Sequence, residues 1–241
     1  MTIEEAARQR LACRREPVQV GRLNVFQIVS TFKGQNCYVI ADTQYATAVV
    51  IDPGYGTCVV VDRLLAEVGC TLAYIVLTHA HIDHIANLNE LRAHWPCKVI
   101  ATTETSDLLP FPKRNLSAFY AVPYVAEHAD VLLTGDCDRL LWGSKEMILH
   151  ASPGHTEGCL MVELPGMLFT GDTLIKDTKT VVKLPGGNRT SLAKSLKYIF
   201  DTFPTGYIMF PGHGESIVLG DTQPEIHCPF YERQSNAKVG I

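Results

Sequence analysis

The stretch that most constrains how this chain can fold is "LAYIVLTHAHIDH", residues 72–84, where a nearly unbroken apolar run passes straight into a histidine cluster. An apolar run without alternation is what a strand covered on both faces requires. The cluster therefore begins where a sheet ends and a loop starts, the usual position of site residues. Along an extended segment side chains alternate, so His79, His81 and Asp83 are expected to share one face. His84 then opens a helix and can turn its imidazole toward the same cleft. Three imidazoles and a carboxylate fit core packing poorly, because buried imidazoles need partners. On these residues alone, a solvated histidine-rich loop is the competing reading.

The rest of the chain reads as strands and helices in one domain. "NVFQIV" (24–29), "NCYVIAD" (36–42) and "ATAVVIDPG" (46–54) are β-branched and aromatic runs bounded by Gly, Pro and Asn. "TCVVVDRLLAEVG" (57–69) switches to helical spacing and stops at Gly69. "HIANLNELRAHW" reads as a helix and "CKVIAT" as a further strand. "DRLLWG", "EMILHASPG", "CLMVEL" and "MLFTGD" are short strands, "SLAKSLKYIFDTF" (191–203) an amphipathic helix, and "GYIMFPGHG" a strand feeding a loop. Residues 110–128, rich in proline and aromatics without periodicity, read as a long surface excursion.

Composition narrows the setting. The formal charge of −4 argues against non-specific binding to nucleic acid or to anionic membranes. No apolar run approaches the roughly 18 residues of a membrane span. The N-terminus begins with acids and lacks the basic-then-apolar order of a secretory signal, so a cytoplasmic location is expected. The eight cysteines, at 13, 37, 58, 70, 97, 137, 159 and 228, form no CxxC pair, and free buried thiols are expected. His94, His128, His150 and His227 are expected to be structural or exposed, and Cys159 to belong to the core.

Three later segments repeat the strand-end pattern. "SPGHTEG" presents His155, "FTGDT" presents Asp172 and "FPGHGE" presents His213, each just past an apolar run. Five imidazoles and two carboxylates, with no thiolate, suit zinc, iron(II) or manganese.

The succession HxHxDH, PGHT, GDT and PGHG resembles the metallo-β-lactamase fold superfamily, and within it the small glyoxalase II-like (hydroxyacylglutathione hydrolase-like) enzymes, over residues 24–220. The resemblance implies an α+β fold, a four-layer αββα sandwich with a metal site at one edge of two packed sheets. It implies residues 1–23 as an N-terminal extension and 24–241 as one hydrolase domain, without the helical domain with which full-length glyoxalase II grips glutathione. By matching motif, His79, His81 and His155 would hold one divalent metal ion. Asp83, His84 and His213 would hold a second, and Asp172 would bridge them. Zn2+ is the expected metal, with Fe2+ or Mn2+ as alternatives. The activity implied is hydrolysis: a hydroxide carried by the metal pair attacks an ester-type carbonyl, a thioester above all, with Asp83 as proton acceptor. Two dications facing two aspartates and a hydroxide leave a positive charge that favours an anionic transition state. A thiolate leaves without strong acid catalysis, which such a site does not obviously supply.

Other chemistries stay open at this point: a lactonase or phosphodiesterase of the same fold, a mononuclear iron sulfur dioxygenase, and a non-catalytic metal-binding regulatory protein. Candidate substrate contacts are Lys179, Lys183 and Arg189 downstream of Asp172, and Phe119 and Tyr120 of the 110–128 excursion. The expected partner is a small thioester or ester, with no nucleic acid and no membrane.

Overall fold

The computed structural model describes residues 13–14, 16–120, 123–221 and 227. Most of the expected N-terminal extension up to residue 12, Cys228, and the C-terminal tail beyond 221 apart from His227 lie outside the described residues. Fourteen strands in two sheets make the framework of the described chain.

The first sheet contains β1 (Cys13–Arg14), β2 (Val18–Val20), β3 (Leu23–Val29), β4 (Asn36–Asp42), β5 (Thr47–Ile51), β6 (Thr71–Val76), β7 (Lys98–Thr102) and β8 (Val131–Leu133). Its order is β1-β3-β4-β5-β6-β7-β8, with β2 also paired to β3. The β3–β4–β5 part is antiparallel, and β5 through β8 run parallel. Parallel neighbours need crossovers. These are supplied by α1 (Cys58–Val68), by the short pair α2 (Ile82–Ile85) and α3 (Leu88–His94), and by α4 (Thr103–Leu108). Helix α1 ends at Gly69, whose φ of 66° lies in the left-handed region that a side chain disfavours. Its start is capped from a distance: the Asn87 side-chain oxygen accepts from the backbone N–H groups of Thr57 (2.9 Å) and Cys58 (3.2 Å).

The second sheet runs β14-β13-β12-β11-β10-β9. Its strands are β9 (Cys137–Trp142), β10 (Lys145–Ala151), β11 (Leu160–Leu164), β12 (Met167–Gly171), β13 (Ile208–Pro211) and β14 (Ile217–Val218). Helix α5 (Arg189–Thr202) packs on its outer face through Leu192, Leu196 and Ile199. The N-cap Asn188 accepts from the backbone of Ser191 at 3.0 Å.

Between the sheets lies a second apolar layer in which Tyr38, Ile40 and Ile51 meet Leu149, Phe169 and Phe210. Phe169 stacks on Phe210 at 4.9 Å, and Tyr38 meets both edge-on. Each aromatic contact of this kind contributes about 0.5–1.5 kcal/mol beyond the area it buries. The layers are thus helices, sheet, sheet and helix, the αββα sandwich expected.

One edge of the sandwich is stitched by polar groups. The Tyr38 hydroxyl donates to the Pro211 carbonyl at 2.6 Å, and the Asn36 amide donates to the same oxygen at 2.9 Å. The Leu160 N–H donates to the Thr78 carbonyl at 2.9 Å. The C-terminal ends of β5 and β6 in one sheet and of β12 and β13 in the other meet along this edge. Every strand-end motif of the sequence is delivered there.

Candidate metal centre

His79, His81 and His155 present ring nitrogens within 4.8 Å of one another, as do the ligand atoms of Asp83, His84 and His213. Hydrogen bonding fixes which nitrogen of three rings faces inward. The His155 Nδ1–H donates to the Val181 carbonyl at 2.7 Å, so Nε2 carries the lone pair. The Thr78 hydroxyl donates to Asp52 Oδ2 at 2.6 Å, and is left to accept from His79 Nδ1–H at 3.1 Å. The His84 Nδ1–H donates to Asp52 Oδ2 at 2.8 Å. All three rings therefore turn Nε2 toward the interior of the site.

These inward atoms have too few partners. His81 Nδ1 lies 3.1 Å from His79 Nε2 and 3.0 Å from His155 Nε2, and the two Nε2 atoms bring lone pairs to the same point. Among the described residues, His84 Nε2 and Asp172 Oδ1 are buried without any hydrogen-bond partner. Leaving such groups unpaired costs about 1–3 kcal/mol each. Cations placed among them satisfy every one, so the residues present fit divalent metal.

Asp172 stands between the two groups. Its Oδ1 is 3.5 Å from His84 Nε2, while Oδ2 is 3.5 Å from His155 Nε2 and 3.6 Å from His213 Nε2. Gly212 leaves room for this: a Cβ there would meet Asp172 Oδ1 at 2.3 Å and the His84 ring at 2.8 Å. Charge is distributed unevenly. Burial, then the neighbouring His155 and His84, pushes His81 down to about 3, and burial first holds His79 well below its ordinary range. At His84 burial opposes the charged form, but Asp172 and Asp52 outweigh it and push the group up to about 9. Burial opposes the charged form of Asp83, but His84, Lys33 and His213 outweigh it and hold the carboxyl below the usual carboxylate range.

The expectation of one shared face holds for His79 and His81 and fails for Asp83. His81 has extended backbone (φ −63°, ψ 142°), but the chain turns helical at Ile82. Asp83 thus projects from α2 toward His213, 3.7 Å away, rather than continuing the alternation.

Two residues of the site were not anticipated. Asp52 closes the apolar run of β5 with φ of 52° and accepts from the backbone and hydroxyl of Thr78 as well as from His84. The signal was an acid ending a buried strand in "VVIDPG". Lys33 places Nζ 3.4 Å from Asp83 Oδ2 and lies over the rings of Phe32 (5.3 Å) and Tyr120 (5.2 Å). No local pattern marks it.

The proposed substrate contacts divide. Tyr120 packs edge-on against Phe32 at 5.0 Å and so belongs to the rim above Lys33, whereas Phe119 is 74% exposed. Lys179 and Lys183 are exposed on the segment whose Val181 carbonyl holds His155, and Arg189 is exposed at the start of α5. The 110–128 excursion is tied to the site: the Asn115 carbonyl accepts from the Ile82 N–H at 2.9 Å, and the Asn115 side chain bonds to Leu109 and Tyr124. Cys159 is buried, as expected, and His150 pairs with Glu163 at 2.8 Å.

A family profile described as the Metallo-beta-lactamase superfamily matches residues 30–213. The chain is 30% identical over 180 residues to the probable metallo-hydrolase YqgX of Bacillus subtilis, covering 73% of this chain and 83% of that protein. It is 29% identical over 188 residues to the mitochondrial persulfide dioxygenase ETHE1 of Mus musculus, covering 76% and 66% respectively. Among solved structures, the BLEG-1 B3 metallo-beta-lactamase superposes with a TM-score of 0.76 at 30% identity, over 85% of this chain and 97% of that one.

Proposed function

The chain belongs to the metallo-beta-lactamase superfamily, and from that premise we propose that it is a glyoxalase II-like hydrolase of thioesters that works with two divalent metal ions, zinc first among them. The observation that carries this reading is the position of Asp172, whose two carboxylate oxygens face His84 on one side and His155 and His213 on the other. His79, His81 and His155 would hold one ion, Asp83, His84 and His213 the other, and Asp172 both. Bound there, such ions acidify a water and polarise a carbonyl.

The chain's own groups supply the rest. Asp52 holds His84 through Nδ1, and with Thr78 it orients His79, so both rings keep Nε2 directed inward. Asp83 Oδ2 would take a proton from the attacking water. Lys33, beside it, offers a fixed positive charge to an anionic substrate group or to charge developing on the carbonyl oxygen. No side chain is needed as nucleophile. A thioester suits the site because its thiolate departs without a proton donor.

Thiol release from lactoylglutathione and from a shorter thioester, followed after chelation and after return of zinc, tests the reading. Activity lost and restored with the metal is expected. Failure to cleave any thioester with both ions bound would end it. The likeness to the mouse persulfide dioxygenase favours one other reading, oxygen-dependent oxidation of a persulfide at a single iron. Oxygen uptake with a persulfide, at one iron per chain, would establish that chemistry instead.

A further inference from the structure

We propose a separate cation site on the outer helical layer, built by Cys58, Asp62 and His94 and suited to zinc. Cys58 opens α1, Asp62 follows four positions later on the same helix face, and His94 ends α3. Their ligand atoms lie within 4.8 Å of one another. Cys58 Sγ is 3.6 Å from His94 Nδ1 and 3.8 Å from Asp62 Oδ2, and Nδ1 is 2.8 Å from that same oxygen. A tetrahedral zinc site, with Zn–S of about 2.3 Å and Zn–N or Zn–O of about 2.0–2.1 Å, sets its ligand atoms about 3.3–3.6 Å apart. On that geometry the His94–Asp62 contact must widen by about half an ångström and the Cys58–Asp62 contact must close by about 0.2 Å. His94, whose side chain is half exposed, can make that adjustment.

Two details separate this set from a simple ion pair. The same ring nitrogen of His94 faces both the sulfur and the carboxylate, so the imidazole cannot relay a proton between them as a nucleophilic triad would. Atoms converging on a common point are what a shared ion requires. The other oxygen of Asp62 accepts from the Trp95 indole N–H at 2.8 Å, which turns Oδ2 toward the cluster, the kind of outer support metal ligands receive. Burial pushes the Cys58 thiol up to about 12, and the charges of Asp62 and Glu90 add to it, so in the absence of an ion the group is an inert thiol. Binding replaces the thiol proton, which leaves to solvent. Three protein ligands leave a fourth position for water at the exposed side.

Cobalt(II) reads this site independently of the strand-end cluster, because that cluster contains no thiolate. The full chain, stripped of metal and titrated with cobalt, is expected to show a sulfur-to-cobalt charge-transfer band and to take up one more ion per chain than Cys58→Ser. The band should vanish in Cys58→Ser and in His94→Gln, while the absorption of imidazole-bound cobalt at the other site persists. His94 is half exposed, so His94→Gln decides the matter even where Cys58→Ser does not fold. Absence of the band in the wild-type chain, or its survival in either variant, would overturn the assignment. Neither result touches the thioesterase reading.

Discussion

His84 Nε2 and Asp172 Oδ1 face each other at 3.5 Å, both buried and both without a hydrogen-bond partner among the described residues. Folding does not leave a nitrogen and a carboxylate oxygen so placed unless something else completes them. In Cys58→Ser, which removes the outlying set, elemental analysis of protein purified without chelator should give two divalent ions per chain. Adding Asp172→Asn keeps the shape and removes the charge that both groups of histidines face. Metal content should then fall to one or below, with turnover reduced at least about 100-fold, as for loss of a principal ligand or its partner. Unchanged metal content would remove Asp172 from its proposed role.

Asp52 is not itself assigned to metal, yet it accepts three hydrogen bonds that fix Thr78, His84 and, through the Thr78 hydroxyl, His79. Asp52→Asn puts a donor where only acceptors fit. Hydrogen bonds to charged groups are worth about 1.5–3 kcal/mol, and their loss should appear as a lower Tm of the metal-free protein. Metal affinity should weaken about 10- to 100-fold. Titration with a competing chelator measures the second effect. A variant that binds metal as the wild type does would show that ring orientation is set elsewhere.

The metal-free protein should be least tolerant of mild acid. His81 falls from its ordinary 6.5 to about 3 in the folded chain, and His79 and His213 are also lowered. Between those values the unfolded chain binds protons that the folded chain refuses, so stability falls as pH drops below about 6.5. His84 runs the other way: its folded value is raised to about 9, so its contribution is complete below 6.5 and is lost as pH rises toward 9. Between about pH 5 and pH 7 His84 keeps most of its contribution, so the lowered histidines set the slope there. Thermal unfolding of chelated protein should give a lower Tm at about pH 5 than at about pH 7, with a smaller difference in His81→Gln. An equal or higher Tm in acid would contradict the shifts.

Much of this was legible locally. The longer strands announced themselves through apolar runs, and β4 was delimited to the residue, because "NCYVIAD" is buried along its whole length, whereas β1, β2, β8 and β14, of two or three residues each, did not. Site positions declared themselves because four motifs each place a histidine or aspartate just past an apolar run. What the sequence hid depends on contacts between distant segments. The side chain of Asp52 meets that of His84, 32 positions away, and Lys33 meets Asp83 across the same cleft. Helix α4 was not anticipated, since six residues carry no apolar period, and its one signal is Thr102 capping Thr105 at 3.1 Å. The helical turn at Ile82 was equally silent: His81 precedes it without a side-chain capping bond.

Lys33 should act on substrate rather than on metal. Its ammonium group is 3.4 Å from Asp83 Oδ2, over the rings of Phe32 and Tyr120, and its side chain is 40% exposed. Burial disfavours its charge, but Tyr120 and Asp83 outweigh that effect and raise its pKa, so it stays protonated across the neutral range. A permanent cation at the mouth of the site can attract the carboxylate of a bulky acyl or thiol group. Lys33→Met keeps the length of the stem and its packing on the rings while deleting the charge. For an anionic thioester kcat/KM should fall about tenfold, equivalent to about 1.4 kcal/mol. For an uncharged thioester of similar size the change should be small, and bound metal should be unchanged. The half-exposed position limits the effect to this size, since solvent screens part of the attraction. Comparison of the two substrates in the wild type and Lys33→Met measures the coupling directly. Equal losses for both would assign Lys33 to holding Asp83 in place, and loss of metal would assign it to the centre itself.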